Sequence, residues 1–201
     1  MLAFTLALAS CTAADATTGD SSFELLAASD PPSLGVVDSV LPMSELLDRF
    51  RAGIPRADTL TNASGSIDAL VRRFAAAVAA ADSAELRAME MTVAEFAWLY
   101  YPDSEFMNPP YELAAELSYL LMEQNSRKGL TRILRRAGGT DVSYVAHQCP
   151  DEPRQRISDR LWERCTITLR GPDGGEETMR LFGSIWERDG RYKLVSYANE
   201  L

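Results

Sequence analysis

The hydrophobic pattern of the chain changes its period at Gly138-Gly139, and this change constrains the fold more than any other feature. Before the two glycines, apolar residues recur every three or four positions, as they do on one face of an α-helix. After them, apolar and polar residues alternate, which is typical of half-buried β-strands. Because the helical half precedes the strand half, the sequence predicts an α+β fold with N-terminal helices packed on a C-terminal antiparallel sheet.

Six helices are predicted before the two glycines. Ser66 stands in front of the clearest one, and Thr92 and Glu95 have the spacing of a capping box. The paired prolines at 109–110 mark the entry of a further helix, because proline fits the first helical turn. The predicted helices cover residues 42–56, a stretch from 66, a short stretch from 82, and residues 92–102, 108–124 and 126–137.

Four strands are predicted after the glycines, and together they form an antiparallel meander. Asp189-Gly190 separates the last two, and this dipeptide is a strong hairpin signal because a type I′ turn needs positive φ at both central residues. The segment GPDGG predicts the preceding turn. The predicted strands are residues 141–149, 160–170, 177–188 and 191–198.

The first residues, MLAFTLALA, are apolar but too few to span a membrane, so residues 1–10 are predicted to be a secretory signal. Leu8-Ala9-Ser10-Cys11 resembles the lipobox of bacterial lipoproteins, in which the chain is cut before the cysteine and that cysteine is lipidated. The alternative is an ordinary cleaved signal in which Cys11 is incidental. Residues 11–41 are rich in Ala, Thr, Ser, Asp and Pro, which predicts a flexible tether ahead of a single domain at 42–201.

If Cys11 is lipidated, Cys149 and Cys165 are the two remaining cysteines. An exported chain folds in an oxidising compartment, where an even pair of cysteines usually forms a disulfide. The alternative is a zinc site made by this pair with His147, the only histidine, although a fourth ligand is not evident. The disulfide is the favoured prediction, and no metal site is expected.

The charge and the motifs exclude several functional classes. With 20 basic and 29 acidic residues, the chain has a net charge of -9, which opposes binding to a phosphate backbone. The sequence contains no G-x-S-x-G, G-x-G-x-x-G, P-loop, H-E-x-x-H or C-x-x-C motif. We therefore expect neither a nucleic-acid partner nor a cofactor.

Helices followed by a meander that ends in the hairpin IWERDGRYKLVSYAN resemble the NTF2-like, or cystatin-like, fold. The resemblance covers residues 66–201 and implies a curved sheet that wraps around helices to form an open cone. The family usually has an early strand between its second and third helices, and only helical patterns occur between 66 and 137 here. Members of this family include isomerases and dehydratases as well as binding modules without catalytic activity.

Two carboxylates share the phase of apolar strand positions. Glu163 lies in the same two-residue phase as Cys165 and Ile167, and Glu187 in the same phase as Leu181 and Ile185. Burial would raise the pKa of either carboxyl and suit it to act as a general base, whereas a position near a strand end would leave it in water. The candidates for the lining of a pocket are all aromatic: Phe96, Tyr100, Trp162, Trp186 and Tyr197.

Three functions remain open at this point. The first is a lipid-anchored cell-envelope protein without enzymatic activity that binds a small apolar ligand or another envelope protein. The second is a small-molecule isomerase or lyase with Glu163 or Glu187 as its base, and the third is a purely structural envelope component. In a cell with two membranes, the sorting signal predicts the outer membrane, with the domain on the periplasmic or extracellular face.

Overall fold

The fold is described for residues 41–199 and residue 201, in a computed structural model. The predicted signal at 1–10, Cys11, and the predicted tether except for Leu41 lie outside the described residues. The described residues belong to one compact unit. None of their helices is both long enough and apolar enough to cross a bilayer.

Side-chain caps begin three helices at the positions predicted. Ser66 accepts a hydrogen bond from the amide of Ala69, and Asp82 accepts two at the start of the third helix. Thr92 and Glu95 form the expected capping box. The helices are α1 (Met43–Arg51), α2 (Ile67–Ala79), α3 (Ser83–Ala88), α4 (Val93–Glu95) with a π-helical turn Phe96–Tyr100, two 3-10 turns (Tyr101–Asp103, Glu105–Met107) and α5 (Ala115–Ala137).

Helix α5 corrects the prediction of two helices at 108–124 and 126–137. It is one continuous helix of 23 residues that begins after the proline pair. Ser126, which the sequence suggested as the start of a second helix, lies in the middle of α5 and is buried. Its hydroxyl contacts other elements of the fold, so it does not cap a helix.

The strand half forms two antiparallel sheets, where the sequence predicted one meander of four strands. The strands are β1 (Ser143–Gln148), β2 (Arg154–Gln155), β3 (Arg160–Trp162), β4 (Thr166–Arg170), β5 (Glu176–Met179), β6 (Ile185–Arg188) and β7 (Arg191–Leu194). One sheet has the order β1-β4-β5 and the other β2-β3-β6-β7. The α+β class is therefore confirmed, and the chain passes three times from one sheet to the other.

The predicted strand at 160–170 breaks at Arg164, which has a φ of +59°. A positive φ interrupts the extended backbone, so β3 and β4 join different sheets. The predicted strand at 177–188 likewise divides into β5 and β6. The hairpin between β6 and β7 is confirmed, with φ of +53° at Asp189 and +70° at Gly190.

Two hydrophobic cores lie between the helices and the sheets. The first holds Phe74 of α2, Phe182 and Tyr197 together with residues of α5 and β4. The second gathers Phe96, Trp186 and their neighbours from α1 and the turns before α5. Cys149 and Cys165 form the expected disulfide, which joins the end of β1 to the start of β4.

Candidate functional site

The five aromatic residues predicted to line a pocket are divided between the two cores. Phe96, Tyr100 and Trp186 pack together in the second core, with ring centroids 6.0 Å apart for Phe96–Tyr100 and 5.4 Å for Tyr100–Trp186. Tyr197 lies in the first core, where it stacks on a phenylalanine. Trp162 packs against the first core from the sheet. These five rings fill the interior at two places and do not line one shared pocket.

The two carboxylates predicted from the strand phase both have arginine partners. Glu163 is partly exposed and lies 3.1 Å from Arg154. Glu187 is only 4% exposed, pairs with Arg160, and accepts a hydrogen bond of 3.0 Å from the amide of Gly190. The bond from Arg160 lowers the pKa of Glu187 in spite of its burial. This direction is opposite to the raised pKa that a general base in this position requires.

The zinc alternative does not fit the geometry. Cys149 and Cys165 are both consumed by the disulfide. The Nδ1 atom of His147 lies 2.7 Å from the hydroxyl of Tyr144, which in turn reaches Asp68 at 3.4 Å. Within residues 41–199, no three His, Cys, Asp or Glu side chains are grouped so that they could hold a metal ion.

Burial raises the pKa of two carboxyl groups that the sequence did not single out, Glu90 and Asp159. The Asp159 side chain is completely enclosed and lies 3.0 Å from Arg156 and 3.8 Å from Arg188. Because a substrate cannot reach an enclosed carboxylate held between two guanidinium groups, Asp159 is a structural element. Glu90 is half-buried and lines a cleft, so it is the candidate functional carboxyl.

Backbone and side-chain contacts hold Glu90 in place. It follows α3 and forms a parallel bridge with Leu194 at the end of β7. The hydroxyl of Ser126 on α5 donates a hydrogen bond to its Oε1 atom and accepts one of 2.8 Å from the amide of Tyr197. The carboxyl is thus fixed at the junction of α5, β7 and the segment between α3 and α4.

The cleft around Glu90 has a volume of about 150 Å³ and lies between α5 and the segment from Arg87 to Thr92. This volume corresponds to roughly five water molecules at about 30 Å³ each. Two methionines provide an apolar wall, two arginines provide positive charge, and a tyrosine provides a hydroxyl. The lining residues are Arg87, Glu90, Met91, Thr92, Tyr119, Met122, Glu123 and Arg127.

The pKa is raised for two groups of the cleft, the Glu90 carboxyl and the Tyr119 phenol. Burial is the largest cause of the raised pKa of Glu90, and nearby Glu123 adds to it, whereas Ser126 and Arg87 oppose it. Burial also raises the pKa of Tyr119, so its phenol remains a hydrogen-bond donor. Titratable groups with shifted pKa values that share a cleft are typical of functional sites.

One sequence signal pointed toward this cleft. Ser126 shares the helical phase of the buried residues Leu130 and Ile133, and a polar residue in an apolar phase needs a hydrogen-bonding partner. The identity of that partner depends on the packing of α5 against β7, which the helical pattern does not reveal. Glu90 itself stands in a short connection without any periodic pattern.

No family model matches the chain, and comparisons with curated proteins and with solved structures find no match either.

Proposed function

We propose that this protein is a lipid-anchored cell-envelope protein whose NTF2-like domain binds a small ligand and has no enzymatic activity. The lipobox-like residues Leu8–Cys11 support the anchor, and the disulfide supports export, because disulfides persist in oxidising compartments. The order of helices and antiparallel strands, with a terminal β6–β7 hairpin, supports the NTF2-like assignment. Because side chains fill both hydrophobic cores, we place the proposed ligand site in a cleft at the edge of the fold.

The anchor is tested by mass spectrometry of the full-length protein after expression with its own leader. We expect an N-terminal peptide that begins at an acylated Cys11, and membrane association that is lost in Cys11→Ser. An intact N-terminus, or a Cys11→Ser variant that stays in the membrane fraction, would refute the anchor.

The half-buried Glu90 carboxyl, with its raised pKa in a mostly polar cleft that two methionines also line, is the observation that carries the binding proposal. The volume of the cleft, about 150 Å³, restricts the ligand to a small molecule. Arg87 and Arg127 suit a carboxylate head, and Met91 and Met122 suit a short apolar body. The proposed ligand class is therefore a short-chain carboxylic acid, which combines the apolar body expected from the sequence with an acidic group.

Butyrate, titrated calorimetrically into the full-length protein, tests this proposal. Because ionised Glu90 repels a carboxylate, we expect binding to strengthen as the pH falls from 7 to 5. Glu90→Gln should bind more tightly than the natural protein at pH 7 and lose this pH dependence, and Arg127→Gln should bind more weakly. Arg49→Gln is the matched control, since Arg49 pairs with Glu45 on α1. Absence of saturable binding in every variant, or equal effects of the two arginine substitutions, would refute the proposed ligand class.

A second function, an isomerase or lyase of the NTF2-like type, is favoured by the pairing of Glu90 with Tyr119 in one cleft. In this alternative, Glu90 removes a proton from the carbon next to a carbonyl, and the phenol of Tyr119 donates a hydrogen bond to the developing oxyanion. Deuterium exchange into 2-butanone, followed by NMR in D₂O, separates the two functions. Exchange that exceeds that of Glu90→Gln supports catalysis, and equal exchange supports binding alone.

A further inference from the structure

Helix α5 presents a row of leucines to solvent. Leu117, Leu120 and Leu121 are 44%, 43% and 45% exposed, and Tyr111, just before the helix, is 59% exposed. The spacing of three and four residues places the leucines on one helical face. The opposite face carries the buried residues that pack against the cores. Contiguous exposed apolar residues of this kind mark interaction surfaces in soluble domains.

The charges around this leucine row are divided along the helix axis. Glu112 and Glu116 lie at its N-terminal side, Arg127 and Lys128 lie at its C-terminal side, and all four residues are exposed. Glu123, which follows the leucines, lies 3.6 Å from Arg127 and offsets its charge. Lys128 then gives the C-terminal end its net positive charge, so the surface is complementary to itself when it is turned by 180°.

We propose that α5 is a homodimerisation surface, on which a second copy of this chain packs its own α5 in antiparallel orientation. With the two-fold axis at Leu120, this leucine meets its equivalent in the second copy. By the same symmetry, the N-terminal end of α5, with Glu112 in the segment just before it, lies beside the C-terminal part of the second copy's helix, which carries Lys128. In a parallel pair, Glu112 and Lys128 would each face their own equivalents, and the like charges would repel.

The expected dimer is weak. One helix pair with its flanking residues buries less than the roughly 1,600 Å² of a standard stable interface. The mass of the full-length protein in sedimentation equilibrium should therefore rise with concentration from one chain toward two. Leu120→Glu should remain a monomer with an unchanged melting temperature. Ile157→Glu is the control, because Ile157 is 87% exposed on the turn between β2 and β3 and lies outside the surface. A natural protein that is monomeric at every concentration would overturn the proposal.

Oxidative crosslinking tests the orientation. In the Cys11→Ser chain, whose other cysteines are joined to each other, Leu120→Cys should form a disulfide-linked dimer. Lys128→Cys in the same background should not, since two such cysteines lie far apart across an antiparallel pair. Efficient crosslinking at both positions would overturn the antiparallel arrangement, and crosslinking at neither would overturn dimerisation through α5.

A charge exchange provides an independent measure of the pairing. Glu112→Lys and Lys128→Glu should each weaken the dimer, and the double variant should recover most of the loss because it restores opposite charges. Additive losses in the double variant would contradict the pairing of Glu112 with Lys128.

Discussion

The ion pair between Lys193 and Glu95 offers a sharp test of how this fold is held together. Lys193 of β7 is 0% exposed, and its Nζ atom lies 2.9 Å and 2.7 Å from the two carboxylate oxygens of Glu95. Glu95 also accepts hydrogen bonds from the Thr61 amide at 2.6 Å, the Thr61 hydroxyl at 2.9 Å and the Thr92 amide at 2.8 Å. The network joins β7 to α4 and to the segment before α2.

The pair remains charged because the carboxylate has more partners than the ammonium. Burial alone raises the pKa of Glu95, but the bonds from Lys193, Thr92 and Thr61 outweigh it and leave that pKa lowered. Burial lowers the pKa of Lys193, and its bonds to Glu95 oppose this. The net effect of the hydrogen bonds is to favour the carboxylate–ammonium form that the geometry shows.

The two single substitutions are expected to differ in cost. Removal of one partner from a buried pair costs about 3–5 kcal/mol. Lys193→Met leaves Glu95 with its three other donors, so its cost should fall near the lower limit. Within the described part of the chain, Glu95→Leu leaves the ammonium with the Thr61 hydroxyl at 3.5 Å as its one remaining acceptor. It also removes the capping box, which adds about 1 kcal/mol. Its cost should reach or exceed the upper limit.

Urea unfolding of the full-length protein at pH 7 measures these free energies. The double variant Glu95→Leu/Lys193→Met should be more stable than Glu95→Leu alone, because no buried charge is left unpaired. Arg49→Met, which removes an exposed cation of α1, should alter stability by less than about 0.5 kcal/mol. Costs that add in the double variant would refute the argument that the two charges depend on each other.

Three further predictions concern other contacts. Gly129→Ala should cost about 3 kcal/mol despite the higher helix propensity of alanine, because its Cβ would stand 1.7 Å from a backbone carbonyl oxygen. Gly65→Ala is the control, since the space around Gly65 is open, and it should cost under about 1 kcal/mol. Urea unfolding midpoints compare the two variants. The double change of Cys149 and Cys165 to serine should lower stability by about 3 kcal/mol, as expected for a closed loop of 16 residues, and reduction of the natural protein should reproduce this loss in thermal unfolding. Because burial raises the pKa of Asp159, its charge costs stability at pH 7, so Asp159→Asn should cost less in the same urea assay than the roughly 3–5 kcal/mol of a broken buried ion pair; a cost within that range would contradict this and show that the attraction of Arg156 at 3.0 Å outweighs the burial.

The sequence predicts local structure where residues close together in the chain determine it. Thr92 with Glu95 defines a helix start, and Asp189 with Gly190 defines a hairpin, because each acts through its immediate neighbours in the chain. The break at Arg164 could not be predicted in this way. The alternation of apolar and polar residues is interrupted at Trp162 and Glu163, next to the break, but nothing in an arginine favours a positive φ at position 164. The division into two sheets is therefore a consequence of tertiary packing.

The candidate site shows the same limit. The sequence identifies carboxylates that share a phase with buried positions, and Glu187 is indeed buried. Its pKa is nevertheless lowered, because Arg160 lies opposite it in the neighbouring strand β3. The pairing of β3 with β6 is a long-range contact that no local pattern encodes. Which carboxyl becomes reactive is decided by its partners, and partners are set by the fold.

Glu90 and Glu95 are five residues apart in the chain, and one pair of variants can test whether their partners give them opposite pKa shifts. The folded-state pKa of Glu90 is raised, so its stabilising contribution is full below the unfolded pKa of about 4.3 and is lost as the pH rises. The folded-state pKa of Glu95 is lowered, so its contribution is full above that value and is lost as the pH falls. At pH 7, Glu90→Gln should therefore raise the urea midpoint and Glu95→Gln should lower it, and both differences should shrink toward pH 3. Shifts of the same sign at pH 7 would refute the assignment of opposite electrostatic environments to the two carboxyls.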